Sequence, residues 1–83
     1  MADMKTIGEF LMSEKWTPEE KWVIKWQFRL LGDFHRALFD AIKLADEHNL
    51  ARLAEGFPSQ VAGFMAWHAG DLGKRLREAG LEI

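Results

Sequence analysis

The sequence contains no cysteine and no tyrosine, and only two prolines in 83 residues. Without cysteine there is no disulfide and no thiolate zinc site, two devices by which small domains supplement a thin core. A chain of this size buries only about 60–65% of the surface its unfolded form exposes, so a second subunit is an expected source of stability. Neither sign of charge is in excess, with 11 basic against 13 acidic side chains and a net charge of −2. A dedicated DNA binder carries a basic surplus and a nucleic-acid mimic a large acidic one, so neither class is expected. No apolar run approaches the roughly 20 residues that cross a bilayer. Met1-Ala2-Asp3-Met4-Lys5 opens no signal-peptide core. The expectation is a soluble, cytoplasmic protein that does not enter membranes. Strand-type alternation, internal repeats and low-complexity tracts are absent as well.

What is present is helical periodicity. From Thr17 to His48 one register carries Val23, Leu30, Leu31, Phe34, Leu38, Ala41, Ile42 and Ala45 on an apolar face. Opposite it, Arg29–Asp33, Arg36–Asp40 and Lys43–Glu47 repeat every seventh residue as i,i+4 pairs, the pattern of a solvated salt ladder. Thr17-Pro18-Glu19-Glu20 marks the start of this helix, combining an N-cap hydroxyl, a proline at the first helical position and a glutamate three residues after the cap. Gly32-Asp33 is a weak point, where Asp33 could cap a new helix at Phe34. The unbroken stripe and ladder favour one helix, with a bend allowed there. Asn49 follows as a stop, and Leu50–Glu55 reads as one or two further turns. Thr6-Ile7-Gly8-Glu9 has the form of a capping box and predicts a short helix over Ile7–Glu14. Gly56-Phe57-Pro58 breaks the chain. A final helix is predicted over Ser59–Ala79, closed by Gly80, with Val61, Met65, His68, Leu72, Leu76 and Ala79 on its apolar face. The fold class is therefore all-α, a single domain over 1–83. Its expected form is a small helical bundle of two long antiparallel helices plus a short N-terminal and a short connecting helix.

Two constellations point to binding. Trp22 and Trp26 stand one turn apart at the margin of the core stripe, beside a basic row of Lys21, Lys25 and Arg29. Tryptophans next to cations anchor protein interfaces. They also form boundary rings covered by lysine stems, and can stack bases beside phosphate contacts. The second constellation is a stripe of small residues on the last helix: Ser59, Gly63, Ala66, Gly70 and Gly73. Interior glycines lower helix propensity, so the stripe calls for close approach of another backbone. The N-terminal helix is one candidate. A second copy of the chain, packing on Gly63, Ala66, Gly70 and Gly73 as a homodimer, or another protein is the other, and a locally irregular helix is the third reading.

The remaining polar groups read as structural. Lys74, Arg75 and Arg77 complement the dipole at the end of the last helix. His68 and Asp71 lie on neighbouring turns, but a metal site needs three or four converging ligands, and His35 and His48 supply none predictably. Ser13 and Ser59 sit at predicted helix ends without a hydrolase pattern around them. No glycine loop follows a strand, as a dinucleotide site would require. The chain is read as a non-enzyme that takes no metal and no cofactor.

Gly32-Asp33-Phe34, Ala37-Leu38, Ala41-Ile42, Ala45-Asp46, Asn49-Leu50, Leu53, Gly56-Phe57-Pro58 and Val61 together resemble a family of small uncharacterised proteins carried by bacteriophages and other mobile elements. The similarity covers about Trp26 to Val61, and Gln60 departs from it where an acidic residue is expected. That family has no assigned activity, so no functional residue carries over. The resemblance implies a phage-type protein that binds and disables a host protein complex, with an anti-CRISPR-like or broader anti-defence inhibitor as the leading expectation and the host cytoplasm as its location. Trp22, Trp26, Lys21, Lys25 and Arg29 are the expected contacts. Nucleic acid is not the expected partner. The alternatives are a nucleic-acid or nucleotide binder using the same residues, or a self-associating structural protein.

Overall fold

Three helix starts in this chain are closed by side-chain caps, at Asp3, Thr17 and Asp46. A computed structural model describes residues 3–83, which form six α-helices and no strand. The first, α1, spans Met4–Met12. Its cap is Asp3 rather than Thr6: the Thr6 N–H donates to Asp3 Oδ1 at 2.8 Å. That bond stabilises the carboxylate and holds Asp3 below its usual acid range. The helix therefore starts before the predicted Ile7 and ends before Glu14. Helix α2, Pro18–Gln27, begins as the sequence predicts. The Thr17 N–H donates to Glu20 Oε1 at 2.8 Å, and the Glu20 N–H donates to Thr17 Oγ1 at 3.3 Å.

The long helix expected over Thr17–His48 is instead broken into α2 and α3 (Asp33–Leu44), while α4 (Glu47–Gly56) begins inside its expected last turn and contains the short connecting helix expected over Leu50–Glu55. The first break is made by Arg29. The Leu30 N–H reaches back to the Lys25 carbonyl at 2.8 Å and the Arg29 N–H to the Trp26 carbonyl at 3.2 Å. Arg29 itself adopts a left-handed φ of 58°. This two-bond closure usually employs glycine at the left-handed position. The second break belongs to Asp46, whose Oδ1 accepts from the Asn49 N–H at 2.8 Å and caps α4. The two breaks part Arg29 from Asp33 and Lys43 from Glu47, and the salt ladder does not form. Among the described residues none of its three pairs is made, and Arg36 turns to Asp33 instead, at 2.7 Å.

The final helix also divides, into α5 (Pro58–Ala69) and α6 (Asp71–Glu78). Gly70, between them, has a left-handed φ of 92° and reverses the expectation of one helix over Ser59–Ala79. The closure at Gly80 is as predicted: φ is 103°, and the Leu81 N–H donates to the Leu76 carbonyl at 3.0 Å. The class is all-α, but α2, α3, α5 and α6 stand where two long antiparallel helices were expected, beside the short α1 and α4. None is long and apolar enough, among the described residues, to cross a membrane.

Re-aiming the helices redistributes the core. Val23, Leu38 and Ile42 are buried as predicted, and so are Val61, Leu72 and Leu76. Leu30 and Phe34, placed in the core by helical spacing, are exposed, Phe34 to 62%. Met65, His68 and Ala79 are exposed too, while Ile24 and Phe39, off the predicted stripe, are fully buried. Two clusters result. Ile7, Trp16, Val23, Ile24, Leu72, Leu76 and Leu81 form one, from α1, α2, α6 and the last residues. Leu38, Ile42 and Val61 centre the other, from α3 and α5, with Leu50 and Leu53 of α4 against them. Helices α2 and α5 make the most extensive helix pair and hold the clusters together. Gly63 permits their approach: a Cβ there would run into the Glu19 carbonyl oxygen and lie 3.0 Å from Val23 Cγ2.

Candidate binding surfaces

Helical spacing builds an open cleft of about 910 Å³ from two unlike faces. On α3, Arg36, Asp40 and Lys43 follow i, i+4, i+7 and lie along one side. On α5, Phe64, Trp67 and His68 follow i, i+3, i+4 and form the other. Trp26 and Gln27 from the end of α2, with Arg29 and Leu31 from the connector, close it. The aromatic side is continuous. The ring of Trp26 stacks on Phe39 with centroids 5.1 Å apart, meets Phe64 at 5.8 Å and turns edge-on to Trp67 at 6.5 Å. His68 stacks on Phe64 at 5.9 Å. Three cations face one carboxylate in this cleft, in a molecule whose net charge is −2. Among the described residues the side chains of Arg29 and Lys43 make no ion pair or hydrogen bond, and Arg36 holds only the exposed Asp33.

A second surface is a ridge of rings. Trp22 stacks on His35 at 4.5 Å, Phe34 sets its edge against His35 at 5.2 Å, and Phe34 meets Phe57 at 5.9 Å. Lys25 Nζ lies over the Trp22 ring, 5.1 Å from its centroid, within the range of a cation–π contact.

The binding residues expected from sequence are thus divided. Trp22 and Lys25 belong to the ridge, Trp26 and Arg29 to the cleft, and Lys21 is half-buried on α2 without a place in either. Sequence reading did not assign Phe34, His35 and Phe57 to the ridge, or Phe64 and Trp67 to the cleft. The cleft cations did leave a signal, the seven-residue spacing of Arg29, Arg36 and Lys43, but it was read as a ladder of surface pairs. The small-residue stripe is largely taken up inside the chain. Gly63 is buried against α2, not the N-terminal helix, Ala66 packs on the first core cluster, and Gly73 lies against Trp67, where a Cβ would come within 3.3 Å of Cζ3. Gly70 is exposed and serves the turn between α5 and α6. These four residues do not present one open face to a second copy.

Of the terminal cations, Arg75 has a specific partner, Glu20 Oε2 at 2.6 Å, which ties α6 to the start of α2. Among the described residues no three histidine, aspartate or glutamate side chains gather as a metal site would require. No family model matches the chain, and neither a curated protein nor a solved structure matches it.

Proposed function

We propose that this chain is a small, non-catalytic binding module that docks on a larger protein through the Trp22–His35–Phe34–Phe57 ridge. One observation carries the reading: Phe34 is 62% exposed yet fixed in place by rings on both sides. Large rigid aromatics cost little entropy to immobilise and dominate interface energetics. Lys25, over Trp22, favours a partner whose apolar patch is bordered by acidic side chains. The resemblance of Trp26–Val61 to small phage proteins supports a host complex as that partner, and inhibition of a defence machine as the outcome. In this reading the protein needs neither metal nor cofactor. The row of Lys21, Lys25 and Arg29 does not act as a unit, because Lys25 and Arg29 serve different surfaces.

The test is affinity capture from host lysate with wild type and with Trp22→Ala/Phe34→Ala. Both ring side chains are incompletely buried, so the variant should keep its helical circular dichroism. The expected result is one host protein held by wild type and lost from the variant. Equal capture by both would remove the ridge as the contact.

A further inference from the structure

We propose that the cleft between α3 and α5 is a nucleotide site, taking a flat base against Phe64, Trp67 and His68 and the attached phosphate against Arg29, Arg36 and Lys43. This goes beyond protein docking and uses different residues. The two sides of the cleft offer different chemistry, and a nucleotide carries the complement of both in one small molecule. Base–aromatic stacking tolerates any base, because every base has a π-face. Arginine presents a planar fork that matches phosphate oxygens, and lysine adds a mobile point charge.

Three further observations converge on the same place. Neither Arg29 nor Lys43 has a side-chain partner among the described residues, and the Arg36–Asp33 pair is exposed and readily exchanged. Asp40 stands between Arg36 and Lys43 on the same face of α3, placed to accept from a ribose hydroxyl or an exocyclic amine. The volume, about 910 Å³, falls within the roughly 300–1,000 Å³ of small-molecule sites. An acidic peptide would satisfy the cations but leave the α5 rings without a stacking partner.

Titration of the 15N-labelled chain with AMP, followed by NMR, tests this directly. Saturable shifts are expected in the indole N–H signals of Trp26 and Trp67, with that of the buried Trp16 unmoved. Adenosine, which lacks the phosphate, and ribose 5-phosphate, which lacks the base, should each bind at least about tenfold more weakly than AMP. Arg36→Gln/Lys43→Gln alters exposed side chains and should weaken AMP by at least about tenfold with the fold unchanged. Arg29→Gly relieves the left-handed strain, so it should remain folded while also losing affinity. A short oligodeoxythymidine identifies the source. Tighter binding than AMP, falling steeply with salt, assigns the cleft to single strands, and the reverse order assigns it to free nucleotides. The proposal is overturned by no shift at about 10 mM AMP, by equal binding of ribose 5-phosphate, by unchanged affinity in the charge variants, or by a hexaglutamate peptide binding more tightly than either nucleotide probe. Loss of the host-protein capture described above would leave these results untouched, since Phe34 and Trp22 lie outside the cleft.

Discussion

Glu20 is the one charged side chain that the fold buries among the described residues, and two jobs converge on it. It closes the cap of α2 through the Thr17 N–H and receives Arg75 from α6. Burial pushes its carboxyl up, but the Thr17 N–H, the Arg75 guanidinium and the Thr17 hydroxyl together hold it below its ordinary value of 4.5. A carboxyl depressed in the folded state adds stability above its unfolded value, and the contribution fades as pH falls through the folded value. Stability should therefore drop on acidification from about pH 5 downward, in part through this residue. Glu20→Gln keeps an oxygen for the cap but loses the charge facing Arg75. It should cost about 1 kcal/mol at pH 7 and flatten the acid limb, read from denaturant midpoints across pH. An acid limb as steep as wild type would mean that Glu20 does not contribute to it.

Among the helices, the seam between α2 and α5 is the least forgiving contact. Gly63 faces backbone there, so the obstacle cannot rotate away. Gly63→Ala should cost about 2–3 kcal/mol by overpacking. Gly8 in α1 is the control, with open space around its would-be Cβ. Gly8→Ala should gain about 0.5–1 kcal/mol through helix propensity. Matched chemical denaturation reads both, and a neutral Gly63→Ala would show that α5 can slide on α2. The helix start at Thr17 and the closure at Gly80 were legible because each combines residue types whose local chemistry permits little else. Helix α5, by contrast, starts at Pro58, read from sequence as a breaker, and not at the expected Ser59. The interruption before α3 was marked at Gly32-Asp33 but outweighed by the continuous stripe, and its origin at Arg29, like the break at Asp46, was hidden for a physical reason. A left-handed arginine has no compositional mark, and a capping aspartate inside a seven-residue charge repeat looks like one more solvated side chain. Gly70 was noticed, with packing and local irregularity both open, since a small side chain and a positive φ both select glycine. The site suffered in the same way: the cations of the cleft were visible as a spacing, while the ring-bearing side of α5 depended on where Gly70 and Gly63 aim that helix.

The molecule as a whole rests on two modest clusters rather than one core, and Trp26 spans them. It packs on the first cluster, stacks on Phe39 and meets the tilted ring of Phe64, which itself packs against the second. Trp26→Ala should cost about 3 kcal/mol, a large share of the roughly 5–15 kcal/mol by which small domains are stable. More telling than the size of the loss is its form. Helical circular dichroism and the indole N–H NMR signal of Trp16, which lies in the first cluster, should report unfolding together in wild type and separately in the variant. Coincident curves in the variant would show that α2 and α5 couple the clusters without this ring.

Gly63 also carries a consequence for how fast the chain reaches its structure. Helices α1 and α2, α4 and α5, and α5 and α6 meet as neighbours in sequence, but α2 must meet α5 across the intervening chain of residues 28–57. That closure loses entropy before any of its packing is gained, which makes the α2–α5 encounter the natural bottleneck of folding. Substitutions along this seam should then slow refolding, whereas those between α4 and α5, adjacent in sequence, should chiefly hasten unfolding. The glycine that lets two helices touch would thereby set the clock for the whole molecule.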